Sequence, residues 1–306
     1  PPRPEPETAL MLTAILAVTL SVPDLAAVER AYVGTLHYRV AERGMVSSAL
    51  AEAWGATRSQ GHPYRLLQPE SGEPVYLRVV QSPETPGYAV MKTHGWNANE
   101  ILAQDPDALA RRLEGSPFRI VGPPLPLSTN PAVRAMQALG PAGELIYLTR
   151  IPPQGSAYIK TPARSFVDRT FIVVVGGPDM GAMRAFYHEV LGLEVTQPVA
   201  ATINGLNDAL ALPATVTTPL AIARISNAFV IELDGYPKLT VPRPQRPDDL
   251  PPGMAMVSFA VPSLEGYSLP WVVAPRVLTE APYAGRKAAL LRGAAGELIE
   301  LIATDR

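Results

Sequence analysis

A chain of 306 residues with 47% hydrophobic side chains has material for two ordinary cores and is too apolar to remain disordered. Its 26 basic and 28 acidic residues nearly cancel and are spread along the chain, which leaves no electrostatic footprint for nucleic acid or an anionic membrane surface. Cysteine is absent, so disulfides, thiol nucleophiles and thiolate metal sites are excluded together.

Residues 1–10 are proline-rich and read as a disordered extension. The apolar run Met11 to Val22 has the texture of a signal-peptide core, but only Arg3 precedes it, and a matching run, Phe171 to Val175, recurs in mid-chain. We therefore read a strand; the expected location is the cytoplasm, and a chain starting at Pro1 leaves export open. Asp24 then caps a helix whose Leu25, Val28, Tyr32 and Leu36 share one face, with His37 as its left-handed terminus. Strand-like segments follow at Tyr64 to Leu67 and Val75 to Val80. The order repeats with Trp96 to Leu102, a helix capped by Asp105 and Pro106 and running to Leu113, then Phe118 to Val121, Ala135 to Leu139 and Leu145 to Leu148.

After a proline-rich linker over 152–168 the pattern begins again. Phe171 to Val175 leads to Asp179 and a helix with Met180, Met183, Tyr187 and Leu191 on one face, ended by Gly192. Leu220 to Ile225 and Phe229 to Leu233 are its strands, and Met254 to Val261 opens a fourth copy. There Ser263 to Tyr267 stands where a helix should, so one turn or none is expected. The run Gly140 to Leu148 matches Gly293 to Leu301 almost residue for residue, so the two halves close alike as well as open alike. The expected division is a first domain over 11–151, the linker, and a second domain over 169–306.

Four βαβββ modules, each half opening on an Asp-capped helix after an apolar strand and closing on Gly-Glu-Leu-Ile-x-Leu, resemble the vicinal oxygen chelate superfamily of glyoxalase I, extradiol dioxygenases and bleomycin-resistance proteins. The resemblance covers the chain from about residue 11 and implies an α+β fold, with the modules paired into two glyoxalase-like domains of cupped mixed sheet. It also implies a divalent metal on inward residues of first and last strands. Counted from the helix cap or the closing valine, those places fall on Ala17, Ala98, Ile172 and Met256 in the first strands and on Arg78, Tyr147, Glu232 and Glu300 in the last. A catalytic divalent site normally takes about three protein ligands. No cofactor is therefore expected, the one weak opening being a divalent ion between Glu232 and Glu300.

Alternation along strands then sets the candidate site. Tyr76, Arg78, Trp96, Glu100 and Tyr147 are expected in one cup, with His94 nearby, and Ile172, Met256, Glu232 and Glu300 in the other. Arg78 and Glu100 either form a structural ion pair, or Arg78 orients a ligand on which Trp96 and Tyr147 stack while Glu100 or His94 moves a proton. Glu232 and Glu300 either share a proton across an apolar cup or are relics paired with Arg224 or Arg286. The segments Asn204 to Pro219 and Pro237 to Pro252 either cover a pocket or are plain surface.

The expected function is binding, and transformation, of a small apolar, aromatic or carbonyl-bearing molecule by metal-independent acid/base chemistry of lyase or isomerase type. The rivals are a metal-dependent dioxygenase or glyoxalase and a protein that binds without turnover. Expected partners are that small molecule and a second copy of the chain, with no nucleic acid and no membrane.

Overall fold

Seventeen strands and five short α-helices alternate through residues 10–127 and 130–305, which the computed structural model describes. The expected extension over 1–10 lies outside the described residues except at Leu10, whose side chain is packed in the core.

The first module is β1 (Ala14–Val22), α1 (Leu25–Leu36), β2 (Arg39–Met45), α2 (Ser48–Ala53), β3 (Pro63–Gln68) and β4 (Tyr76–Gln81). The second is β5 (Gly95–Ala103), α3 (Pro106–Leu113), β6 (Arg119–Pro126), β7 (Arg134–Leu139) and β8 (Leu145–Arg150). The third comprises β9 (Val167–Gly177), α4 (Met180–Ala185), β10 (Glu194–Val195), β11 (Val199–Ala201), α5 (Asn204–Ala209), β12 (Thr218–Arg224) and β13 (Val230–Gly235). The fourth has only strands: β14 (Gly253–Val261), β15 (Val273–Leu278), β16 (Arg286–Arg292) and β17 (Leu298–Ala303). Its Ser263 to Tyr267 segment makes a turn in place of a helix.

Local chemistry accounts for the helix starts. The carboxylates of Asp24, Asp105 and Asp179 accept hydrogen bonds from the backbone N–H groups of Ala27, Ala108 and Ala182 at 2.8, 3.0 and 2.9 Å, satisfying donors that the first turn leaves free. His37 ends α1 with φ of 61°, the left-handed conformation expected there. A buried tyrosine stands in each half-opening helical segment, Tyr32 on α1 and Tyr187 in the helical turn that follows α4.

The four modules form two mixed sheets, and each sheet takes one module from each sequence half. The eight-stranded sheet runs β15-β16-β17-β14-β1-β4-β3-β2, so the first module pairs with the fourth through antiparallel β1 and β14. The nine-stranded sheet runs β10-β12-β13-β9-β5-β8-β7-β6, joining the second module to the third through β5 and β9. Within each module the first and last strands are parallel neighbours, which places their inward residues side by side.

The helix-facing sides of both sheets share one large core, including Val22, Val28, Tyr32, Val173, Tyr187 and Phe259. Two helix-to-hairpin contacts cross this core. Tyr187 donates to the buried Glu297 at 2.8 Å, and Tyr32 lies beside Glu144 in the equivalent place. Each glutamate folds back over its own hairpin glycine; a Cβ on Gly140 or Gly293 would stand 1.9 Å from the carboxyl oxygen. Burial raises both carboxyls to about 7. Among the described residues no helix is long and apolar enough to cross a membrane.

Candidate functional site

Cross-half pairing redistributes the expected site residues. Arg78 on β4 and Glu300 on β17 share the eight-stranded cup, whereas Glu100 on β5 and Glu232 on β13 share the nine-stranded one. Neither Arg78 with Glu100 nor Glu232 with Glu300 is formed, because sheet pairing runs between sequence halves and not within them. A divalent ion between Glu232 and Glu300 would have to bridge two sheets.

The eight-stranded cup is filled. Arg78 and Glu300 are each 1% exposed and their side chains approach to 3.5 Å. Glu300 also accepts from Ser258 on β14, and from Tyr283 at 2.6 Å. Tyr283 in turn accepts from the Trp54 indole at 2.9 Å. The Arg78 guanidinium lies 4.9 Å from the centre of the Trp54 ring and 5.4 Å from that of Tyr283, in reach of both π faces. Trp54 is delivered by α2, whose first turn Ser47 caps, and Met256, Leu290 and Leu298 close the rest. Tyr76 stands two residues before Arg78, half-buried at the margin. Thus Met256 is core, and Glu300 pairs with Arg78; Arg286 is occupied by the Tyr283 and Pro282 carbonyls.

The nine-stranded cup is open on one side. Glu100, Tyr147, Ile172 and Glu232 are all half-buried, in contrast to the sealed residues opposite. Register sets them together: Glu100 lies beside Tyr147 on β8 and Ile172 on β9, while Glu232 lies beside Val174. The apolar lining comprises Ala98, Leu145, Val174 and Tyr236, and α5 adds Leu206. The segment Asn204 to Pro219 therefore covers a cup, at least through α5.

Asp234, two residues after Glu232 and so on the same face, is 1% exposed, and neither carboxyl oxygen has a hydrogen-bond partner among the described residues. Glu100 accepts from the Thr149 hydroxyl at 2.6 Å; burial nevertheless raises it to about 7. Burial, with the neighbouring charges of Asp234 and Glu100, pushes Glu232 well above the carboxylate range, and burial pushes Asp234 up as well. The Tyr147 phenol is raised too, first by burial and then by the charges of Glu232, Asp234 and Glu100. Glu100, near 7, can hold or surrender a proton near neutrality, and the more strongly raised Glu232 favours its protonated form. The Val-Ile-Glu-Leu-Asp-Gly alternation of β13 could have exposed Asp234 in the sequence; Trp54 and Tyr283 come from connections, which carry no such signal.

Trp96 and His94 belong to neither cup. A β-bulge shifts the β5 register between Trp96 and Ala98, turning Trp96 to the face opposite Ala98 and Glu100. Its indole donates to the Leu298 carbonyl at 2.7 Å and its ring lies 6.2 Å from Phe259, in the seam between sheets. There a cavity of about 200 Å³ is lined by His94, Trp96, Arg243, Arg292 and Glu297. The Arg243 guanidinium is spent on backbone carbonyls of His94, Trp96, Pro252 and Met254, so the segment Pro237 to Pro252 works as a clip between sheets. His94 binds Thr240 at 3.0 Å, outside reach of the carboxyl cluster's cup.

The metal positions implied by the resemblance do not fit an ion. One cup places a guanidinium against its glutamate; the other offers Ala98, Tyr147 and Ile172 beside Glu232. Among the described residues, no group of three His, Asp or Glu is disposed to hold a metal.

No family model and no curated protein matches the chain. Solved structures do. Glyoxalase I from Zea mays superposes with a TM-score of 0.61 at 14% identity, covering 94% of this chain and 92% of its own. A "putative dioxygenase" from Bacillus subtilis gives 0.62 at 12% identity, over 97% and 87%. Both likenesses span all four modules.

Proposed function

Taking the vicinal oxygen chelate fold of the chain as premise, we propose that the nine-stranded cup binds a small molecule with an apolar or aromatic body and a carbonyl group, and moves a proton on it without a metal. The eight-stranded cup is a structural counterpart filled by its own side chains. One observation carries the reading: Glu100, Glu232 and Asp234 stand in one apolar cup, the first two half-buried and the third sealed, and among the described residues none of them forms an ion pair.

Raised carboxyls suit this work because at neutral pH one member is ionised while a neighbour keeps its proton. The ionised member, Glu100, takes a proton from carbon next to the carbonyl. The protonated one donates to the carbonyl oxygen, and an enol results. Where the substrate also carries a β,γ double bond, the dienol takes the proton back at its γ carbon while the oxygen returns its own to the carboxylate, which completes an isomerisation with no net consumption of protons or electrons. Tyr147 and Ile172 supply the contact surface.

The test is solvent exchange. In deuterated water, wild-type protein should catalyse deuterium uptake next to the carbonyl in members of a panel of aryl ketones, read by mass spectrometry. Glu100→Gln and Glu232→Gln should each lower the rate at least tenfold. Uptake by neither wild type nor variants, despite binding, would favour a carrier that leaves its ligand unchanged.

A further inference from the structure

The two cups differ in where positive charge comes from. In the eight-stranded cup one buried carboxylate, Glu300, is met by a guanidinium, a phenol and a hydroxyl. The nine-stranded cup holds three carboxyls and no cation is paired with any of them among the described residues. Asp234 is the extreme case, sealed from solvent with both oxygens unpartnered among the described residues. A buried acceptor without a donor is costly, and a charge-assisted hydrogen bond is the strongest way to satisfy it.

We propose that the ligand of this cup carries a protonated primary amine, received by the carboxylate of Asp234. The inference rests on the preceding reading of the cup as the binding site and divides its carboxyls: Asp234 anchors the ammonium, and Glu100 and Glu232 remain for proton transfer. A primary ammonium fits better than a quaternary one because it brings N–H donors for oxygens that lack them. The rings of Tyr147 and Tyr236 and the Ile172 side chain suit an aryl-alkyl body.

Binding a cation favours the ionised carboxyl, so protons should leave as ligand enters and affinity should rise with pH. Facing Asp234 are Glu232 from its own strand, Tyr147 from β8 and Tyr236, itself near Arg243 and Tyr88, while Glu100 on β5 faces Glu232 and Tyr147. The tyrosines stay protonated throughout, since burial raises each of them, which leaves the carboxyls as the titrating groups.

Calorimetry on the full chain with phenethylamine, its neutral isostere 2-phenylethanol, the anion phenylacetate, and magnesium or manganese chloride decides the matter. The amine should bind at least tenfold more tightly than the alcohol, more tightly at pH 8 than at pH 6, and with proton release seen as a buffer-dependent heat. Asp234→Asn should remove at least tenfold of the amine affinity while leaving the alcohol unchanged, and Glu232→Gln should do so to a smaller degree, giving a second reading should the first variant fail to fold. Equal affinity for amine and alcohol, tightening at low pH, or displacement of the amine by either metal would overturn the ammonium while leaving the cup as the binding site. Binding of any probe that survives Ile172→Trp would place it outside the cup and overturn both.

Discussion

Arg78 shows how a single side chain can decide the fate of a cup. A buried ion pair is held by mutual compensation, and removing one member leaves the other charged in a low-dielectric interior, a loss of roughly 3–5 kcal/mol. Arg78→Met should therefore destabilise the protein by about that amount in urea unfolding, and adding Glu300→Gln should recover most of the loss. A double variant no better than the single one would mean that packing against Trp54, and not charge, is what Arg78 supplies. Glu144 and Glu297 invite a second residue-level test. Both have folded values near 7, above the ordinary 4.5, so the folded state binds more protons across that window. Stability is then full below about 4.5 and is lost as pH rises toward 7, by up to about 1.4 kcal/mol per pH unit for each group. Glu297→Gln should flatten the slope in unfolding measured from pH 5 to 7.

At the scale of elements, the Asp-capped helices and the closing Gly-Glu-Leu-Ile hairpins were legible because their signals are local: a cap, a face at helical spacing, a repeated turn. Asp179→Ala should cost about 1 kcal/mol through loss of the bond to Ala182, read as a lower melting temperature. What could not be read were departures from alternation. The bulge between Trp96 and Ala98 adds a residue without altering composition, so Trp96, expected beside Glu100, turns into the seam. The short α2 and α5 were also hidden, since six residues give too little periodicity to stand out. Yet they bear on how each cup is filled: α2 delivers Trp54 onto Arg78, whereas α5 brings Leu206 and Ala209 to the lining of the other cup. Trp54→Ala should thus destabilise by about 3–5 kcal/mol and open a cavity in the eight-stranded cup, detectable as new binding of a hydrophobic dye.

For the whole molecule, repetition was visible in the sequence, but which modules share a sheet was not, because every first strand is apolar enough to pair with any other. A cut in 152–168 provides the test. Each half then owns one module of each sheet and completes neither. The halves made separately should lack the cooperative unfolding of the intact chain, and mixing them should restore it in a one-to-one complex seen by size exclusion. Independent cooperative unfolding of either half would contradict the shared sheets.

The nesting of one sheet inside the other also bears on the ribosome. The nine-stranded sheet uses only an inner stretch of chain, β5 to β13, and can close as soon as that stretch has emerged. The first module, translated before that stretch, must wait for β14, which is made after it, with the apolar edge of β1 unpaired in the meantime. Slowing elongation should therefore prolong the interval in which nascent chains are exposed to aggregation and to chaperone capture, and the affected segment should be the first module.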